Sequence, residues 1–72
     1  MTLRQRMVYE VVGLLRQGSP IQDKEHCQRA VEELLSEHTR EGDTTTLGAR
    51  FDALKCPLNR FATSVWNIYS GI

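Results

Sequence analysis

Residues 11–35, VVGLLRQGSPIQDKEHCQRAVEELL, decide the fold class. An apolar run closes at Gly18, and Ser19, Pro20, Ile21 and Gln22 restart the chain in a new direction. Glycine is a natural helix stop because it takes the left-handed conformation without a Cβ clash. Upstream, Leu3, Met7, Val11 and Leu14 keep the spacing of one helical stripe. Val8, Val12 and Leu15 widen that stripe, and Tyr9 falls on the opposite side. This pattern predicts a first helix over about residues 3–17. A helix apolar over so wide an arc either sits centrally in the fold or serves an interface. Downstream, Ser19 with Gln22 fits a capping box, with Pro20 at the first helical position. Alternatively, Asp23 caps and Ile21 staples the corner from outside. Cys27, Ala30, Val31, Leu34, Leu35 and His38 then make one apolar face of a second helix, ending near Arg40. On its outer face Glu25 with Arg29, and Arg29 with Glu33, are opposite charges four residues apart.

The remainder reads as two more helices. Asp43, Thr44, Thr45 and Thr46 form a polar connector in which any side chain can cap the next helix. A short third helix, residues 47 to about 55, presents Leu47, Phe51 and Leu54. Pro57 cannot continue it and biases Cys56 away from helical angles. Pro57 suits the first position of a fourth helix. That helix puts Leu58, Phe61, Ala62, Val65, Ile68, Tyr69 and Ile72 on one face, with Trp66 at its edge. The expected architecture is all-α: a single domain, a small bundle of three to four short helices, and a dimer.

The dimer is expected from size. Seventy-two residues, 40% hydrophobic and 25% charged, have globular composition. A core that small supplies only roughly 3–5 kcal/mol. Two cysteines cannot build a disulfide scaffold, so a partner chain is the expected supplement. The sequence offers no apolar run long enough for a membrane span and no signal-peptide pattern. A cytoplasmic protein with free thiols is expected, with no membrane contact. Net charge is zero but unevenly spread. Residues 21–43 hold Asp23, Glu25, Glu32, Glu33, Glu37, Glu41 and Asp43 against Lys24, Arg29 and Arg40, so the middle is acidic and the ends mildly basic.

No reaction is announced. His26, Cys27, His38 and Cys56 are the potential metal ligands, and none has zinc-site spacing. Cys27 reads as a small core residue and His26 as solvated. A thiol on a core face beneath an acidic helix lacks the electropositive, open setting of a nucleophile. The expectation is a non-enzyme with no catalytic residues, no metal and no cofactor. His38 is either a capping histidine or a pH-sensitive interface group. Tyr9, Val12, Trp66 and Tyr69 are the candidate partner-binding residues, since aromatics at the edge of a core stripe commonly anchor partners. They could equally close the core of one chain. The alternative is a dimeric DNA-binding regulator reading through the polar face of the fourth helix. Its contacts would be Asn59, Arg60, Thr63 and Asn67, with Arg50 and Lys55 nearby. Asn and Arg make bidentate base contacts, but three cations per subunit is thin where phosphate contacts supply most of the affinity.

Residues 11–35 also resemble the small YmgB/AriR-type biofilm and acid-resistance regulators of enterobacteria. Leu14, Gly18, Ile21 and Lys24 match the family's Leu-x-x-x-Gly corner with its subsequent apolar residue and Lys, and Cys27, Val31 and Leu34 continue the apolar helix. The resemblance implies a helical homodimer acting as a regulator or connector in biofilm and stress control, partnered by DNA or a signalling protein; a bacterial or phage-encoded helical regulator would look the same. It assigns no functional residue. The favoured expectation is a small regulatory or adaptor protein acting by protein–protein interaction.

Overall fold

Three of the four helices begin where a side chain satisfies one of the first free amides. In the computed structural model, which describes residues 1–71, the helices succeed one another as α1 (Leu3–Leu15), α2 (Lys24–Glu37), α3 (Leu47–Ala53) and α4 (Leu58–Tyr69). Ile72, which the sequence puts on the apolar face of α4, lies outside the described residues. Thr2 opens α1 with a reciprocal capping box: its hydroxyl accepts from the Gln5 amide at 3.1 Å, and its own amide donates to Gln5 Oε1 at 2.9 Å. Asp23 opens α2, accepting from the His26 amide at 2.8 Å. Thr46 opens α3, accepting from the Ala49 amide at 3.3 Å. Pro57 is the N-cap of α4 rather than its first helical residue, so α4 begins one residue later than expected, and Pro57 gives no side-chain cap.

The corner between α1 and α2 takes the second of the two forms the sequence allows. No capping box forms at Ser19, and Pro20 lies in the connector. α1 does not end on a left-handed Gly18. It stops at Leu15 and leaves through tight i→i−3 turns, Gln17 N to Leu14 O and Gly18 N to Leu15 O. The half-buried Ile21 staples the corner, and its amide donates to the Tyr69 hydroxyl at 3.1 Å. His26 is half-buried rather than fully solvated, and its Nδ1 accepts from the Gln22 amide at 3.3 Å.

α2 ends earlier than Arg40. His38 leaves the helix as its C-cap and is exposed, so it does not belong to the apolar face. Neither outer-face charge pair of α2 closes: the one ion pair among the described residues joins Glu10 to Arg50. Exposed long side chains gain too little in water to be held in one geometry. Lys55 reverses the chain after α3 with φ +56°, the left-handed position that ends α3 before residue 55.

α4 is the common neighbour: α2 and α1 each pack chiefly on it, α3 packs on α2, and α1 touches α2 far less. The core is Met7, Val8, Val11, Val12 and Leu15 of α1, Cys27, Val31 and Leu35 of α2, Leu47 of α3, and Phe61, Ala62 and Val65 of α4. Phe51 meets Phe61 edge-on, ring centroids 4.9 Å apart. Most of the wide stripe of α1 is thus buried within the chain; Leu3 stays exposed and Leu14 half-open.

Candidate functional site

Because α1 and α2 both pack on α4, the side of each that faces the other is left incompletely covered. A furrow runs there. Two adjoining hollows of about 450 and 410 Å³ share Leu14 and Glu37 in their linings. One lies at the corner, lined by the half-buried Leu14, Ile21, His26, Ala30 and Leu34 and rimmed by Glu33 and Glu37. On α2, His26, Ala30, Glu33, Leu34 and Glu37 lie along a helical row, which sets the apolar floor beside its acidic rim. The other hollow opens toward α3, between Glu10, Leu14, Glu37, His38, Arg40, Asp43, Thr46, Leu47 and Arg50.

Electrostatics at the α3 end are set by one fork. Arg50 donates through both terminal nitrogens to Glu10, at 3.1 and 2.8 Å. That hydrogen bonding holds the Glu10 carboxyl below its ordinary range, outweighing the opposing desolvation, with a smaller contribution from the Arg50 charge. Asp43 is also lowered, by the Thr45 hydroxyl and amide that donate to its Oδ1. Both carboxylates are therefore charged at neutral pH, but Arg50 and Arg40 line the same hollow, and the furrow's excess negative charge comes from Glu33 and Glu37.

The floor is positioned by a close crossing at the far end of α2. Gly48 is buried, and its amide donates to the His38 carbonyl at 3.2 Å. A Cβ at position 48 would overlap Thr39 Oγ1 and lie 2.9 Å from the Leu35 carbonyl oxygen. Only glycine lets α3 approach this closely.

The residues singled out from sequence are dispersed. Val12 is 3% exposed and fills the core, so it offers nothing to a partner. This corrects its candidacy. Its position on the wide side of the α1 stripe left core and interface indistinguishable by periodicity. Tyr9 is 51% exposed and borders a separate shallow hollow with Val8, Ser64, Asn67 and Ile68. Trp66 and Tyr69, both half-buried, stack with centroids 6.0 Å apart. The Tyr69 hydroxyl is committed to Ile21, so Tyr69 partly closes the corner of its own chain. Among the nucleic-acid candidates, Arg50 is tied to Glu10 on α1. Lys55 stands on the left-handed turn, and Arg60, Asn59 and Asn67 are exposed on α4. Asn59 Oδ1 accepts from the Arg60 amide, and the Thr63 hydroxyl donates to the Asn59 carbonyl.

Cys27 is wholly buried, and desolvation pushes its thiol up; Cys56 is half-buried and hydrogen-bonds locally to the Pro57 carbonyl. Among the described residues no three His, Cys, Asp or Glu side chains gather as a metal site would need, and no helix is long and apolar enough to cross a membrane. The furrow itself is not legible in the sequence. Its one signal is the row of Ala30, Leu34 and Glu37 at helical spacing, beside a Leu14 that belongs to the edge of the α1 stripe. No protein-family model, curated protein or solved structure matches this chain.

Proposed function

We propose that this chain is a small non-enzymatic regulatory adaptor that acts by binding another protein. The observation that carries the reading is the furrow between α1 and α2, where the half-open Leu14, Ile21, Ala30 and Leu34 line one hollow together beneath the exposed carboxylates of Glu33 and Glu37. Apolar side chains framed by charged ones are the anatomy of a protein-binding groove. The reading is preferred to DNA binding because the Arg50 guanidinium is already engaged by a carboxylate. A phosphate there would have to displace Glu10, in a hollow that Glu37 and Asp43 also border. Self-association belongs to the same reading, through the half-exposed edge at Trp66 and Tyr69. It is the homodimer that the likeness of residues 11–35 to the YmgB/AriR-type regulators leads one to expect.

Affinity isolation with the tagged full chain, with and without nuclease, tests the adaptor reading. A stoichiometric protein that survives nuclease is expected. Recovery of nucleic acid alone, lost on nuclease treatment, overturns it. Sedimentation equilibrium of the chain and of Trp66→Glu tests self-association; a wild-type monomer at high micromolar concentration removes that part.

A further inference from the structure

We propose that the furrow between α1 and α2 receives a basic amphipathic helix, about three turns long, from a partner protein. The inference rests on the adaptor reading and adds to it the chemistry of the partner. Three features set that chemistry. Along α2 the furrow extends from His26 to His38, twelve helical rises or about 18 Å, which is a little over three turns of a docked helix. At the corner its floor is aliphatic, formed by the half-buried Leu14, Ile21, Ala30 and Leu34, which suits the apolar stripe of a docked helix. No cation lines the corner half, and its two full charges are the exposed carboxylates Glu33 and Glu37.

At the α3 end Glu10 and Arg50 neutralise each other and Arg40 stands against Asp43, so the furrow's excess negative charge lies at Glu33 and Glu37. A helix with lysine or arginine flanking its apolar stripe meets opposite charge along one rim while its stripe is dehydrated. An acidic helix meets like charge there, which disfavours it.

The test uses the full ¹⁵N-labelled chain at physiological salt. The probes are two synthetic 14-residue amphipathic peptides of one pattern, leucine with lysine and leucine with glutamate. The lysine peptide is expected to bind at least about tenfold tighter. Its amide shifts should cluster at Leu14, Ile21, Ala30 and Leu34. Glu33→Lys combined with Glu37→Lys changes only exposed positions and should invert the preference. Leu34→Gln should weaken both peptides. Equal affinities, no binding, or shifts centred on the opposite side of α2 around Glu25 and Glu32 overturn the proposal, as does self-association that buries the furrow. The two readings fail separately. A protein isolated equally well by the double variant sinks the furrow and leaves the adaptor standing, whereas no protein isolated by the wild type sinks the adaptor.

Discussion

Replacing Gly48 by alanine should destabilise the chain, although alanine is the better helix former. In an open helix the exchange gains about 0.8–1 kcal/mol. At Gly48 the added Cβ overlaps Thr39 Oγ1 and meets Thr39 Cβ at 3.0 Å and the Leu35 carbonyl at 2.9 Å. The overlap can be relieved by turning the Thr39 side chain. That sacrifices the hydrogen bond its hydroxyl donates to Leu35, worth about 1 kcal/mol. The other two contacts cannot turn away. The Leu35 carbonyl is fixed in α2, so α3 must retreat and stretch the Gly48 amide bond to His38. Overpacking of this kind costs about 1–3 kcal/mol. With the helical gain subtracted, the net loss is about 2 kcal/mol. In a domain of this size that lowers the melting temperature by about 10 °C.

Urea and thermal unfolding monitored by far-ultraviolet circular dichroism read both quantities. Gly13→Ala is the internal control: Gly13 sits in α1, exposed, with no atom within 4 Å of its virtual Cβ. It should gain about 0.5–1 kcal/mol. Opposite signs at the two glycines are the expected result. A neutral or stabilising Gly48→Ala would refute the close-approach argument, because the carbonyl of Leu35 could then not be where the packing of α3 on α2 requires it.

Other consequences are smaller but separable. Glu10 has its pKa depressed in the fold, so its contribution is present above the unfolded carboxylate range and lost as pH falls through the folded value. At the half-exposed pair that loss is about 0.2–1 kcal/mol, and Glu10→Gln should flatten the acid limb of a stability-versus-pH curve. Tyr69→Phe removes the acceptor for the Ile21 amide and should cost about 0.5–1.5 kcal/mol in urea unfolding; no change would mean water replaces the hydroxyl there. A thiol reagent should label Cys56 readily and Cys27 only as fast as the fold opens, since Cys27 is fully buried with a raised thiol pKa. Equal labelling rates in native buffer would contradict that core position.

Periodicity reveals the helices because four amphipathic stripes must each face a common core. It cannot say how deep a residue at the edge of a stripe lies. Val12 and Leu14 flank the same stripe of α1, yet Val12 is buried and Leu14 half-open. Which edge is covered depends on α4 lying against one side of α1, a long-range fact. The helix ends are legible where a cap is chemical, as at Asp23, and illegible where the end is set by packing. α2 stops at Glu37 because His38 gives its carbonyl to Gly48 of another helix. Gly18 reads as a stop and takes no left-handed turn, whereas Lys55, with no glycine to advertise it, does.

The same distinction governs the furrow. Its width is set by devices at both ends of α2: at the corner, Asp23 on the His26 amide, Gln22 on His26 and Ile21 on Tyr69; at the other end, Gly48 against Leu35 and His38. With α2 packed chiefly on α4 and tied at both ends, Ala30 and Leu34 stay half-open toward α1. For the proposed helix, a groove already open would spare part of the ordering entropy that association otherwise loses. Fold and binding are thereby coupled in a checkable direction. Gly48→Ala, by moving α3 and loosening the end of α2, should weaken the lysine peptide under conditions where the chain remains fully folded. Gly13→Ala should leave its affinity unchanged. Equal affinity in both variants would mean that the furrow does not owe its shape to the crossing at Gly48.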